Sequence, residues 1–233
     1  MRPKKMATTF MISASTLRNY EAKGLIPPAE RSAKGHRMYT DLHAAYLGCI
    51  QGMAPAFGME TTTEALHDLQ HDKPHDALWA IRKKEVALYE ERVKLERLIE
   101  DIRQQSNENK SPNTKERFAI NEVSKMTKVP KSTIRYWEQA GYVTADRDDE
   151  NRYRYYSKGH LLKIRLIHVL QSSVYSEDTV KLKQSIAAAE HTDLQSIMKL
   201  AEQIQSYQNK SIESQMCGIS YLWKLIQLSK API

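Results

Sequence analysis

Residues 15–26 read Ser15-Thr16-Leu17-Arg18-Asn19-Tyr20-Glu21-Ala22-Lys23-Gly24-Leu25-Ile26. Residues 132–143 read Ser132-Thr133-Ile134-Arg135-Tyr136-Trp137-Glu138-Gln139-Ala140-Gly141-Tyr142-Val143, the same pattern 117 residues later. That offset also carries Arg37 and Tyr39 onto Arg154 and Tyr156 with no gap. A repeat of this length implies two domains of one kind, not a solenoid of short units. Within the first copy, Leu17 and Tyr20 lie three apart on one helical face and Gly24 stops the helix. Ser13 can cap it by accepting a free N–H of the first turn. Pro130 holds that place in the second copy, where a first helical turn tolerates proline.

Pro27-Pro28 forces the chain out of the helix. Residues 34–39 (Lys-Gly-His-Arg-Met-Tyr) then suit a small hairpin, or wing, turned by Gly35. Residues 151–156 (Asn-Arg-Tyr-Arg-Tyr-Tyr) repeat it, with Asn151 expected to supply the positive φ. Residues 42–57 and 161–173 are apolar helical stretches, each followed by a second helix, at 61–70 and 177–188. Each copy closes with a long helix. Leu78, Ile81, Leu88, Leu95, Ile99 and Ile102 form a heptad seam in the first. Leu194, Ile197, Ile204, Ile212, Ile219, Leu222 and Ile226 mark a less regular face in the second. The expected fold class is therefore mainly α: two tandem winged helix-turn-helix domains, each followed by two linking helices and a long coiled-coil helix. The expected boundaries are a first head at 1–71, a long helix at 72–107, a polar linker at 108–117, a second head at 118–190 and a second long helix at 191–233.

Charge follows the repeat. The net charge is +7, yet residues 1–50 alone carry +5 and residues 115–165 another +5, so the remainder is acidic. Positive charge gathered on two heads points to a polyanionic partner. Cys49 and Cys217 have no metal-ligand spacing and read as reduced core thiols. No apolar run approaches the length of about 18 that a membrane span needs. A cytoplasmic, nucleoid-associated protein is expected, with no cofactor and no metal. No phosphate-cradling loop or nucleophile–base pattern points to an enzyme.

A winged helix-turn-helix places its second helix in a major groove of double-stranded DNA while the wing rides on the backbone. With Leu17 and Tyr20 turned inward, Thr16, Arg18 and Asn19 face outward. Thr133, Arg135 and Tyr136 repeat them. Arginine can fork onto phosphate or guanine, and asparagine can pair with adenine. On the wing, alternation puts Arg37 and Tyr39 on one face, offering charge and a hydroxyl to phosphate, although Tyr39 and Tyr156 could instead cover the edge of the core. Arg18 could instead pair with Glu21 on its own helix.

The two quoted runs, with Gly35-His36-Arg37-Met38-Tyr39 and Tyr153-Arg154-Tyr155-Tyr156, resemble the signature of MerR-type transcription regulators. The resemblance covers about residues 1–107 and again 118–230. It implies a homodimer-like reader of two-fold operators that pairs antiparallel long helices and distorts promoter DNA. It also implies DNA contacts by Arg18, Arg37, Tyr39, Arg135, Arg154 and Tyr156, and RNA polymerase as a further partner at the promoter. Asn19 departs from the aromatic usual in the family, which Tyr136 keeps. Met1 aligns with Phe118, leaving residues 118–120 without a good counterpart. Four acids (Asp146, Asp148, Asp149, Glu150) crowd the second wing, and the family's metal-sensing cysteines are missing.

Two copies in one chain suggest an internal pseudo-dimer. A helix of about 30 residues runs roughly 45 Å, and about ten linker residues span up to roughly 33–36 Å. Differences at Asn19/Tyr136 and Ala22/Gln139 suit two unlike half-sites. The competing arrangement is a dimer of two-headed chains. The competing functions are an architectural or chromosome-anchoring protein, a recombination-directing factor, or a protein-interaction module.

Overall fold

The computed structural model describes residues 1–107 and 116–230, so most of the expected linker lies outside the described residues. The first copy runs α1 (Pro3–Thr9), α2 (Ala14–Ala22), β1 (Glu30–Arg31), β2 (Arg37–Met38), α3 (Asp41–Gln70) and α4 (Pro74–Asn107). The second runs α5 (Ile120–Thr127), α6 (Lys131–Gln139), β3 (Asp146–Arg147), β4 (Arg154–Tyr155), α7 (Lys158–Val169), α8 (Glu177–Ala188) and α9 (Leu194–Lys230). Each pair of strands forms a two-stranded antiparallel hairpin.

The local chemistry accounts for these boundaries. Ser13 Oγ accepts the Thr16 N–H at 2.9 Å and starts α2. Pro130 caps α6 without a side-chain bond. Gly24 and Gly141 leave the two helices at φ 66° and 75°, a backbone region that costs glycine nothing. The two helices expected at 42–57 and 61–70 form one element, α3, broken at Gly58 (φ 83°, ψ 161°). In the second copy that break widens into separate helices, with Ser176 Oγ accepting the Thr179 N–H at 3.2 Å to start α8.

Three details differ from the sequence reading. Arg152, not Asn151, takes the left-handed conformation opposite Gly35, at φ 62°. Asn151 instead accepts the Tyr153 N–H through Oδ1 at 2.9 Å, which pins the turn one residue earlier. The gapless offset also conceals a slip. Arg31 pairs across the hairpin with Arg37, and Arg147 with Arg154, so the first strands correspond at 116 residues. The second copy is one residue shorter before its wing and one longer within it. Finally, the segment at 118–120 does have a counterpart. Phe118 and Tyr156 exchange two backbone bonds of 2.9 Å, and the Tyr39 N–H reaches the Met1 carbonyl at 2.9 Å in the same manner.

The chain forms two compact units, Met1–Val86 with Lys210–Ile233, and Ala87–Asn209. The first unit's core joins Leu17, Ile26, Tyr39 and Leu66 to Ala77 and Ile81 of α4 and to Leu222, Leu225 and Ile226 of α9. The second unit's core joins Ile134, Trp137, Tyr156 and Ile164 to Leu95, Leu98, Ile99 and Ile102 of α4 and to Ile197 and Ile204 of α9. Within the first unit, α9 approaches α3 closely. A Cβ on Gly218 would stand 3.0 Å from the Gly52 carbonyl oxygen and 3.3 Å from the Phe57 ring. Ile212, expected on the apolar face, is exposed, whereas Gln215 is buried. Cys49 is buried as expected, and Cys217 is exposed, contrary to the reading of both as core thiols.

Candidate nucleic-acid interface

The helices α2 and α6 present the same face in both units. Leu17 and Ile134 are buried, as is Trp137, with Tyr20 half-buried against the first core. Arg18, Asn19, Arg135 and Tyr136 are exposed, and Thr16 and Thr133 are half-buried beside them. Helical periodicity explains the split, because residues one position apart leave the helix about 100° apart.

The wing is fastened to this helix by one carboxylate in each unit. Glu21 Oε2 accepts from Arg37 Nε at 3.0 Å and from the Tyr39 hydroxyl at 3.1 Å. Glu138 Oε1 accepts from the Tyr156 hydroxyl at 3.0 Å, and its Oε2 lies 3.8 Å from Arg154 Nη1. Glu21 and Glu138 are themselves 117 residues apart, so the clamp is duplicated along with the chain. Arg18 is not Glu21's partner; Arg37 is. Binding through Nε leaves the terminal amino groups of Arg37 for a second ligand, since guanidinium carries five N–H donors. Arg154 is held more loosely and is more exposed than Arg37.

Tyr39 and Tyr156 are core residues, 1% and 0% exposed. This agrees with the core-edge alternative and not with hydroxyls open to phosphate. Burial, with Glu21 beside it, pushes the Tyr39 hydroxyl up to about 12. Burial and Glu138 push Tyr156 up as well. Both hydroxyls therefore stay protonated, and each proton is committed to a carboxylate. A phosphate contact would require that proton to leave the clamp.

Two residues escaped the sequence reading. Arg31 and Arg147 stand directly across the hairpins from Arg37 and Arg154. Like charges opposite one another weaken a two-stranded ladder, and a polyanion lying on the hairpin would relieve the repulsion. Counting the hairpin register, rather than holding the 117-residue offset, would have revealed them. In the second unit Arg135, Glu138, Arg147 and Arg154 line a common cleft with Gln139 and Thr144. The acidic wing is partly spoken for. Asp148 Oδ1 accepts the Glu150 and Asn151 N–H groups at 3.1 and 3.2 Å, and its Oδ2 meets Arg117. Those backbone donors, with Arg117, hold the Asp148 carboxyl below the usual carboxylate range.

Comparison with known families fits this duplicated geometry. A model described as MerR family regulatory protein matches residues 2–39, and one described as MerR HTH family regulatory protein matches residues 118–183. The chain carries two MerR-type units in tandem. Both descriptions are of regulatory proteins rather than enzymes, and they support DNA-binding transcriptional regulation. The chain is also 37% identical over 65 residues to the Type II methyltransferase M.Eco47II of Escherichia coli. That similarity covers 28% of this chain and 16% of the methyltransferase. No solved structure matches the chain. Among the described residues no helix is long and apolar enough to cross a membrane.

Proposed function

We propose that this MerR-type chain binds double-stranded DNA as a single-chain pseudo-dimer, reading two unlike half-sites and distorting the DNA between them to regulate transcription. The observation that carries this reading is the duplicated clamp. In each unit a buried Tyr–Glu pair sets an arginine-bearing wing beside a helix whose Arg18 or Arg135 stands free for a groove. Arg18, Asn19, Arg135 and Tyr136 are assigned to base edges or phosphates, with Thr16 and Thr133 alongside. Arg37 and Arg154, joined by Arg31 and Arg147, are assigned to phosphate. Tyr39 and Tyr156 hold the wing rather than meet DNA first.

The pseudo-dimer is supported by how the cores are composed. Each head's core takes in the far turns of the other copy's long helix, as an antiparallel helix pair within one chain requires. The methyltransferase activity named for the similar Escherichia coli protein is not carried over, because the shared stretch is a small fraction of that protein.

Selection of bound fragments from genomic DNA, followed by footprinting and sedimentation, tests the proposal. The expected outcome is a few fragments protected over about two helical turns, and a free chain sedimenting at 26.9 kDa. Twice that mass would replace the pseudo-dimer with a dimer of two-headed chains. Scattered fragments without a shared element would favour an architectural role.

A further inference from the structure

We propose that Asp146, His160 and His191, in the second unit, form a binding site for a first-row divalent transition-metal ion such as zinc. The three are far apart in sequence and come from three elements. Asp146 lies on β3, His160 in the first turn of α7, and His191 in the turn between α8 and α9. One ligand atom of each lies within 4.8 Å of the others. His191 Nε2 is 3.8 Å from Asp146 Oδ2, and the two imidazole rings stack with centroids 3.9 Å apart.

The second observation is an orphaned nitrogen. His160 is 1% exposed, and its Nε2 has no hydrogen-bond partner. Its Nδ1 is occupied, accepting the Ser157 N–H at 3.0 Å and lying 2.8 Å from Ser157 Oγ. A buried polar nitrogen left unpaired carries a desolvation penalty, which a ligand at that nitrogen would remove. His43, at the matching place in the first copy, also has an unpaired Nε2. Its ring, however, feels the backbone oxygens of Pro27 and Pro28, whereas His160 faces a second imidazole.

The approach of His191 is also built in. A Cβ on Gly159 would stand 1.7 Å from the His191 carbonyl oxygen, so only glycine lets this turn rest on α7. The first copy has Leu42 at that place. Lys163, whose charge His160 feels, is drawn aside onto the carbonyls of Ala187 and Ala189 at 3.0 and 2.7 Å.

Two imidazoles and one carboxylate suit zinc or cobalt, with water completing a tetrahedron. Binding follows a simple proton balance. The ion takes the Nε2 lone pair of His160, the Nε2 proton passes to solvent, and Nδ1 takes up one proton from solvent in exchange, giving up the Ser157 N–H that it accepted. Nδ1 then donates to Ser157 Oγ, the outer partner that ligating histidines ordinarily require. The stacked rings must turn apart to share one ion, a movement that falls to the half-exposed His191. Because Ser157 directly follows Tyr156, the ion would tie the base of the wing to α7 and to the turn before α9.

The test uses the full chain, stripped with chelator and titrated with zinc by calorimetry and with cobalt by visible absorption. One equivalent is expected to bind, with the intense cobalt bands of four-coordination. His191→Ala and Asp146→Asn should each weaken binding about 10–100-fold, and Cys217→Ser should leave it unchanged. Both weakened variants keep the buried His160, so their folding can be checked by circular dichroism. Absence of stoichiometric binding, or binding untouched by both variants, overturns the proposal.

Discussion

At the scale of single residues, Glu21 and Glu138 carry more of the architecture than their charge suggests. Each places a negative charge in a head that must attract phosphate, and each does so to immobilise an arginine and a buried tyrosine. Glu21→Ala would strand the Tyr39 hydroxyl without an acceptor, at a cost of about 1–3 kcal/mol. A lower urea midpoint should report it, and an unchanged midpoint would mean that water replaces the carboxylate. Arg37→Ala should act differently, weakening binding to all DNA sequences and reducing the salt slope by about one. Affinity and slope both unmoved would remove Arg37 from the phosphate contacts. Arg18, Arg37, Arg135 and Arg154 could be picked out because residue type and alternation are local properties; Arg31 and Arg147 could not, because they depend on the hairpin register. The clamp was not, since Glu21 and Arg37 are 16 residues apart and meet only when the hairpin folds back.

At the scale of elements, the repeat foretold the helices well because apolar period and capping are written in short windows. The bounds of α2 and α6 coincide at the stated offset. Hairpins resist the same reading. Their register depends on where a turn places its left-handed residue, and here a shortened approach and a lengthened turn cancel in the count. The crossing of α9 over α3 was likewise illegible, because glycine in a helix does not announce what comes near it. Gly218→Leu should therefore destabilise the first unit by about 1–3 kcal/mol through overpacking. Thermal unfolding checks this, and a variant as stable as the parent would show that α9 can shift aside.

At the scale of the whole molecule, a buried histidine, His43, and a half-buried one, His168, set an acid limit. Burial holds the imidazoles of His43 and His168 below their ordinary range. The unfolded chain takes up protons near pH 6.5, where these folded rings do not. Stability is then full above that pH and is lost as pH falls below it. The urea midpoint should be lower at pH 5 than at pH 7.5; an equal or higher value at pH 5 would contradict this account. The division into units carries another consequence. The second unit is a continuous stretch, whereas the first draws Leu222, Leu225 and Ile226 from the far end of the chain. On the ribosome, domains generally fold in order of emergence. Here the order must invert: the opening head stays incomplete while more than a hundred further residues are synthesised, and the second unit matures first.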